Sequence, residues 1–242
     1  MAEFKFPTEE IELPSQGLVY PKDNPLSSGK VEIKYMTAKE EDILTNQSYI
    51  EKGTVIDKLL KSLIITKINY NDLITGDKNA IMVAARVLGY GGEYKFTYLE
   101  KEYEVNLSDI ENKELDSSVY EPGKNDFKFT LPHSKNAITF KLLTHGDDVK
   151  IQQELLGLKR FNKESNPELS TRLKYMITSL NGEVETPKIR EFVDTALLAR
   201  DSRALREYIQ QIQPDVDLTF FPDNSNDKKP IPVNINFFWP EL

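Results

Sequence analysis

The apolar positions follow two periods along the chain, and the places where the period changes divide it. Val31, Ile33 and Tyr35 alternate with polar residues, which predicts a strand. Helical spacing begins in TAKEEDILTNQ, where Thr37 stands three residues before Glu40, the spacing of a capping box. Glu40, Glu41 and Asp42 then lie near the positive end of that helix. In TVIDKLLKSLI the apolar positions 55, 56, 59, 60, 63 and 64 share one helical face. GDKNAIMVAARVLGY predicts a further helix that closes at Gly89, buried over residues 81–85 because it is apolar nearly all round. Period two returns at Tyr94, Phe96 and Tyr98 and again at Tyr103 and Val105, a hairpin bending at residues 100–102. NDFKFTL and AITFKLL predict an antiparallel pair, with a looser segment before them at residues 111–124.

From Gly146 the spacing is helical again. DDVKIQQELLGLKRF and ELSTRLKYMITSL read as two helices joined by NKESNPE. A third starts at Thr186, a hydroxyl cap followed by Pro187, and buries Ile189, Phe192, Val193, Ala196 and Leu197. A fourth, capped by Asp201 or Ser202, buries Leu205, Tyr208, Ile209 and Ile212 and stops at Pro214. VDLTF and PVNINFF predict two closing strands. In the first thirty residues, Pro14, Gly17, Pro21, Pro25 and Gly29 break regular elements, yet Leu13, Leu18, Val19 and Tyr20 are too apolar for an idle tail. Two readings fit: an arm laid across a surface, or a packed terminus. No internal repeat stands out. The expected organisation is an extended N-terminal arm at 1–30, a strand with helices at 31–90, a β-rich middle module at 91–144, and a helical region closing with two strands at 145–242. The expected fold class is α+β, with helical terminal regions sharing a core with short strands.

Composition narrows the function classes. A 39% hydrophobic content with aromatics spread along the chain predicts a packed core. A net charge of -8 argues against whole-surface attraction to nucleic acid or anionic membrane. The absence of cysteine excludes disulfides, thiolate zinc sites and cysteine nucleophiles. No apolar run approaches the roughly 20 residues of a membrane span. The first ten residues lack a secretion-signal pattern, so a cytoplasmic setting is expected.

Candidate chemistry is sparse. GYGG lacks the strand–loop–helix frame of a phosphate site and reads as a turn. Asp147 and Asp148 beside His145 read as a helix amino terminus rather than a metal site. Adjacent Glu40 and Glu41 diverge on a helix and make no acid/base pair. No catalytic, cofactor-binding or metal-binding residue is assigned. LLARDSRALREYI carries two readings. In one, Asp201 caps the helix while Arg200 and Arg203 pair with acids such as Glu191 and Glu207. In the other, Arg200, Arg203 and Arg206 stay exposed at an interface, where directed guanidinium hydrogen bonds are favoured. In NINFFWPEL, the consecutive Phe237, Phe238 and Trp239 would place aromatics on both faces of a strand, and the uncovered face needs the amino-terminal segment or another subunit.

The segments LPSQGLVYP, IKYMTAKEEDILTNQ, GTVIDKLL, NGEVETPKIREFVDTALLARDSRALREYI, PDVDLTF and IPVNINFFWPEL together resemble the T4-type bacteriophage baseplate family, whose members are hub subunits or hub assembly chaperones of contractile tails. The resemblance runs from about Leu13 to Leu242. It implies a non-enzymatic role in assembling the central hub, in the host cytoplasm and in the virion tail baseplate. Implied partners are other hub proteins and the end of the tape measure protein, with neither nucleic acid nor membrane. A transient chaperone and a stable subunit are both compatible with it, and a cell-wall hydrolase is the rival class. The recurring family positions fall on Tyr35, Glu40, Glu41, Asp42 and Leu44, on Phe192, Asp194, Arg200, Asp201, Arg203, Leu205, Arg206 and Tyr208, and on Phe238, Trp239 and Pro240. Relatives carry cysteine pairs suggestive of a zinc knuckle in the middle. Residues 92–109 here have none, so packing by Tyr94, Phe96, Tyr98, Tyr103 and Val105 must hold that hairpin.

Overall fold

A computed structural model of the protein describes residues 7–161, 166–223, 225–233 and 235–238. Over residues 7–30 the opening segment is not an extended arm. Strand β1 (Thr8–Glu12) pairs antiparallel with β2 (Lys30–Lys34), Ile11 opposite Val31. The connection folds inward, burying Leu13, Val19, Tyr20 and Leu26, and the Leu13 N–H donates to the Gly29 carbonyl at 2.8 Å. Its prolines and glycines break regular structure, but they shape a packed loop rather than a free one.

Helices α1 (Ala38–Leu44), α2 (Gln47–Glu51) and α3 (Val55–Leu63) follow, and Ile64 returns to bridge Ile33 on β2. Helix α4 (Thr75–Tyr90) runs through Gly89 and ends at Gly91, whose φ of 84° suits glycine. Gly89 stays helical with the Met36 terminal methyl packed against it, so a Cβ there would have to displace that methyl. The hairpin of β3 (Glu93–Tyr98) and β4 (Lys101–Asn106) turns at Leu99 and Glu100, both at positive φ, slightly earlier than expected. A three-stranded antiparallel sheet holds β5 (Phe127–Thr130), β6 (Ala137–Phe140) and β7 (Ile177–Leu180) in that order. Helices α5 (His145–Phe161) and α6 (Glu168–Met176) lie between β6 and β7.

The segment ELSTRLKYMITSL is therefore not helical throughout. Helix α6 stops at Met176, and Ile177 leaves directly in extended conformation to join the sheet. Helix α7 (Thr186–Thr195) has Glu185, not Thr186, at its cap position, without a side-chain cap hydrogen bond. After α8 (Ala199–Ile212), the closing strands shrink to β8 (Thr219–Phe220) and β9 (Lys229–Pro230). Ile235–Phe238 is a 3-10 turn rather than a strand. The tighter turn buries both Phe237 and Phe238, removing the expected exposed aromatic face. Trp239 lies outside the described residues.

An internal repeat, hidden from the linear reading, becomes visible in the pairing. In the first copy, β1 ends before Leu13-Pro14, pairs with β2, and continues through Lys34, Thr37 and Glu40 into α1. In the second, β5 ends before Leu131-Pro132, pairs with β6, and continues through Lys141, Thr144 and Asp147 into α5. Ile11 faces Val31 as Phe129 faces Ile138. The Leu13 N–H reaches Gly29 O as the Leu131 N–H reaches Asn136 O. Ile64 closes antiparallel on Ile33 as Ile177 closes on Phe140. Each copy then closes with a long helix, α4 or α8, whose third residue is a buried aspartate, Asp77 or Asp201. Equivalent residues lie 107 apart at Lys34 and Lys141 but 124 apart at Asp77 and Asp201, because loops and α7 differ between copies. That drift conceals the repeat from a fixed-period search.

One contiguous apolar cluster, from Leu13 to Phe238, joins both copies with the β3–β4 hairpin, whose Tyr94 and Phe96 it includes. Phe220 packs edge-on against Phe96, Tyr98 and Tyr103, and Phe237 against Tyr94. Aromatic packing therefore covers the cysteine-free hairpin from one side. The fold is α+β.

Candidate interaction surface

Among the described residues the buried acidic side chains are Glu40, Asp77, Asp147 and Asp201, and each is the third residue of its helix. A carboxylate there sees the unpaired N–H groups and positive end of the helix, which offsets part of its desolvation. Two of the four act locally. Glu40 accepts the Thr37 N–H at 3.0 Å, the Thr37 hydroxyl at 2.6 Å and Lys34 Nζ at 2.8 Å. Asp147 accepts the Thr144 N–H and hydroxyl, each at 3.1 Å, and Lys141 Nζ at 2.7 Å. Burial pushes the Glu40 carboxyl up, but the Lys34 and Thr37 hydrogen bonds outweigh it and hold it below the usual range.

The other two act at long range on equivalent loops. Asp77 Oδ1 accepts the Ser15 N–H at 2.9 Å, and its Oδ2 accepts the Ser15 and Tyr20 hydroxyls at 2.7 and 2.6 Å. Asp201 Oδ1 accepts the His133 N–H at 2.8 Å and its Oδ2 the Ser134 N–H at 2.9 Å. Asp201 is thus not the cap of its own helix; it ties that helix to the β5–β6 loop. Burial, with the charge of Asp215 adding to it, outweighs the Tyr20 and Ser15 hydrogen bonds and raises the Asp77 carboxyl. Burial also pushes Asp201 up, but the backbone donors of His133 and Ser134 more than compensate, and its carboxyl sits below the usual range. These groups are tied down by protein donors. Among the described residues no cluster of His, Asp or Glu could hold a metal ion, and no helix is long and apolar enough to cross a membrane.

Tyr208 stacks on Phe129 with centroids 4.9 Å apart and meets Phe140 edge-on, so it locks α8 onto the second sheet. Leu205, Ile209 and Ile212 bury the rest of that face. The outward face is different. Arg200, Arg203 and Arg206 are exposed, Arg203 Nε pairing with Glu207 at 2.8 Å and Arg206 Nε donating to the Ser202 carbonyl at 3.3 Å. Glu207, one of the two partners named from sequence, is the one used.

The repeat shows what is unusual about this face. Position by position from the buried aspartates, Leu198, Arg200, Arg203 and Arg206 correspond to Ile74, Gly76, Asn79 and Met82 of α4. Ile74 is 1% exposed, whereas Leu198 is 50% exposed. Gly76 packs so closely on Pro214 that a Cβ would come within 1.8 Å of its carbonyl oxygen. Asn79 donates to Asp215 at 3.0 Å, and Met82 is buried. The chain that follows α8 covers on α4 the helix face that α8 itself leaves bare, and the bare one carries three arginines and a half-exposed leucine. Sequence reasoning found the arginines; Leu198 could be recognised only through its buried counterpart.

No match was found among curated proteins or among solved structures. A family profile described as "T4 bacteriophage base plate protein" matches residues 9–217. The matched region begins in β1 and ends beyond α8, so it takes in both copies of the repeat and both aspartate-clasped loops. A match over that much of the chain shows that the protein belongs to the T4 bacteriophage base plate protein family.

Proposed function

We propose that the protein is a non-enzymatic component in assembly of the central baseplate hub, working by protein–protein binding in the host cytoplasm and in the tail baseplate. Its partners are other hub proteins and the end of the tape measure protein. The observation that supports this reading is the bare face of α8, where Leu198, Arg200, Arg203 and Arg206 are presented while the equivalent α4 positions are covered. An exposed apolar side chain among arginines has the composition of a binding surface. Asp201 and Tyr208 hold the presenting helix, and Phe238 belongs to the central apolar cluster. The buried carboxylates Asp77 and Asp201 are each taken up by donors from a neighbouring loop.

The test is recovery of tagged protein from infected cells, with mass spectrometry of the eluate and of purified particles. Wild type is expected to bring down baseplate hub proteins, and Arg200→Glu combined with Arg203→Glu to lose them while keeping its melting temperature. Both residues are exposed, so the fold does not depend on them. Recovery of no tail protein by wild type overturns the reading. Stoichiometric presence in particles identifies a lasting subunit, and absence from them a chaperone.

A further inference from the structure

An apolar groove of about 470 Å³ lies between β1, α4 and the chain following β4. Its walls include Ile11, Ala80, Ala84, Val87, Leu107 and Ile110. The repeat shows what shape this space takes when filled. Ile11 corresponds to Phe129, each two residues before the Leu-Pro of its loop. Ala84 corresponds to Tyr208, each seven residues after the clasping aspartate. In the second copy those two positions hold the Phe129–Tyr208 ring stack, interplanar angle 22°. In the first copy both residues lack the ring, and the groove stands where the stack would be.

The geometry points to a site for an aromatic side chain from a partner protein. Resting on the hub-assembly reading above, we assign that partner to the baseplate, with an extended segment carrying one aromatic residue flanked by lysine or arginine. Three observations fix this chemistry. The internal counterpart shows that an aromatic ring fits between the strand and the helix. The charged residues on the groove wall, Glu12 and Glu111, are both acidic and exposed, which favours a basic flank. Strand β1 pairs with β2 on one edge and with no strand on the other among the described residues. An extended segment can therefore add backbone hydrogen bonds along β1 while its ring enters the groove.

The test uses the full-length, isotope-labelled protein and the capped peptide Lys-Thr-Trp-Thr-Lys, with its Trp→Ala form as control. Amide shifts are expected at residues 80–88 and 107–112 with the tryptophan peptide and not with the control. Ala84→Tyr, which supplies the missing ring internally, is expected to abolish them. Glu12→Lys with Glu111→Lys, both on exposed positions, is expected to weaken binding roughly fivefold at low salt. Thermal melting accompanies each variant, and the charge-reversed protein decides the matter if Ala84→Tyr does not fold. No shifts, shifts elsewhere, or shifts that persist in a folded Ala84→Tyr protein overturn the proposal. So does a change at the groove on Trp239→Ala without peptide, which would make the chain's own terminus the occupant. Dimerisation that Ala84→Tyr abolishes would make the occupant a second copy and overturn it equally. Baseplate proteins recovered undiminished by Ala84→Tyr sink the groove as a partner site and leave the hub reading intact. Peptide binding without any recovery of baseplate proteins does the reverse.

Discussion

Asp77 and Asp201 occupy the same place in the two copies but face different donors, and the difference decides how each tolerates substitution. Asp201 accepts two backbone N–H groups, which can only donate. Asparagine there would turn its own NH₂ toward one of them. Asp201→Asn is expected to cost about 1–3 kcal/mol, the penalty of one unsatisfied buried donor. Asp77 faces one backbone N–H and two hydroxyls, and hydroxyls rotate to accept as well as donate. Asp77→Asn is expected to cost less than Asp201→Asn at neutral pH. The pH dependence has opposite sign at the two sites. The Asp201 carboxyl is depressed below its unfolded value of ~3.9, so it binds fewer protons folded than unfolded. Its contribution is present above that value and lost as pH falls through the folded one. Asp77 is raised, so its contribution is full below about pH 4 and lost as pH rises through the folded value. Urea unfolding between pH 3 and 8 checks both. Asp77→Asn should remove a loss of stability with rising pH, and Asp201→Asn a gain. Equal costs at pH 7 would refute the assignment of donors.

At the scale of elements, the β3–β4 turn is the least comfortable piece of backbone. Leu99 and Glu100 both have positive φ, 48° and 65°, as a two-residue type I′ turn requires, and neither residue suits that region. Leu99 is also 82% exposed, so its side chain gains nothing from the core. Leu99→Asn with Glu100→Gly is expected to stabilise the protein by roughly 1 kcal/mol, a rise of about 2–4 °C in melting temperature for a chain of this size. An unchanged or lowered midpoint would mean the turn is not strained. Tyr94, Phe96, Tyr103 and Val105 made this hairpin legible from sequence, because one face is packed and the other wet. The same logic made α3 legible through Val55, Leu59, Leu60 and Leu63. It failed where two periods coincide: Leu173, Met176, Ile177 and Leu180 fit a helical face as well as they fit a helix followed by a strand. Phe237 and Phe238 misled for a related reason, since consecutive aromatics say nothing of the turn that buries both. Of the α8 surface, the arginines were visible and the contrast with α4 was not, because it exists only once the two helices are recognised as counterparts.

The two copies are not independent domains at the scale of the molecule. The His145 N–H at the start of α5 donates to the Leu73 carbonyl at 2.7 Å, and Ile74 bridges Thr144. The start of α4 packs on Pro214 through Gly76, while Asn79 reaches Asp215. The Tyr120 hydroxyl donates to the Ile212 carbonyl, tying the connecting segment to the end of α8. Opening either copy would strip apolar cover from the other, since the central cluster runs through both. Unfolding should therefore be one cooperative event, although a repeat could in principle unfold half by half. The Asp201→Asn lesion, confined to the second copy, provides the test by native-state hydrogen exchange. If it removes about 2 kcal/mol globally, protection at Leu60 in the first copy and at Leu205 in the second should both fall roughly 30-fold. Protection lost at Leu205 and retained at Leu60 would show that the copies open separately. The bare α8 face would then belong to a unit able to move against the rest, rather than to a rigid surface presented by the whole molecule.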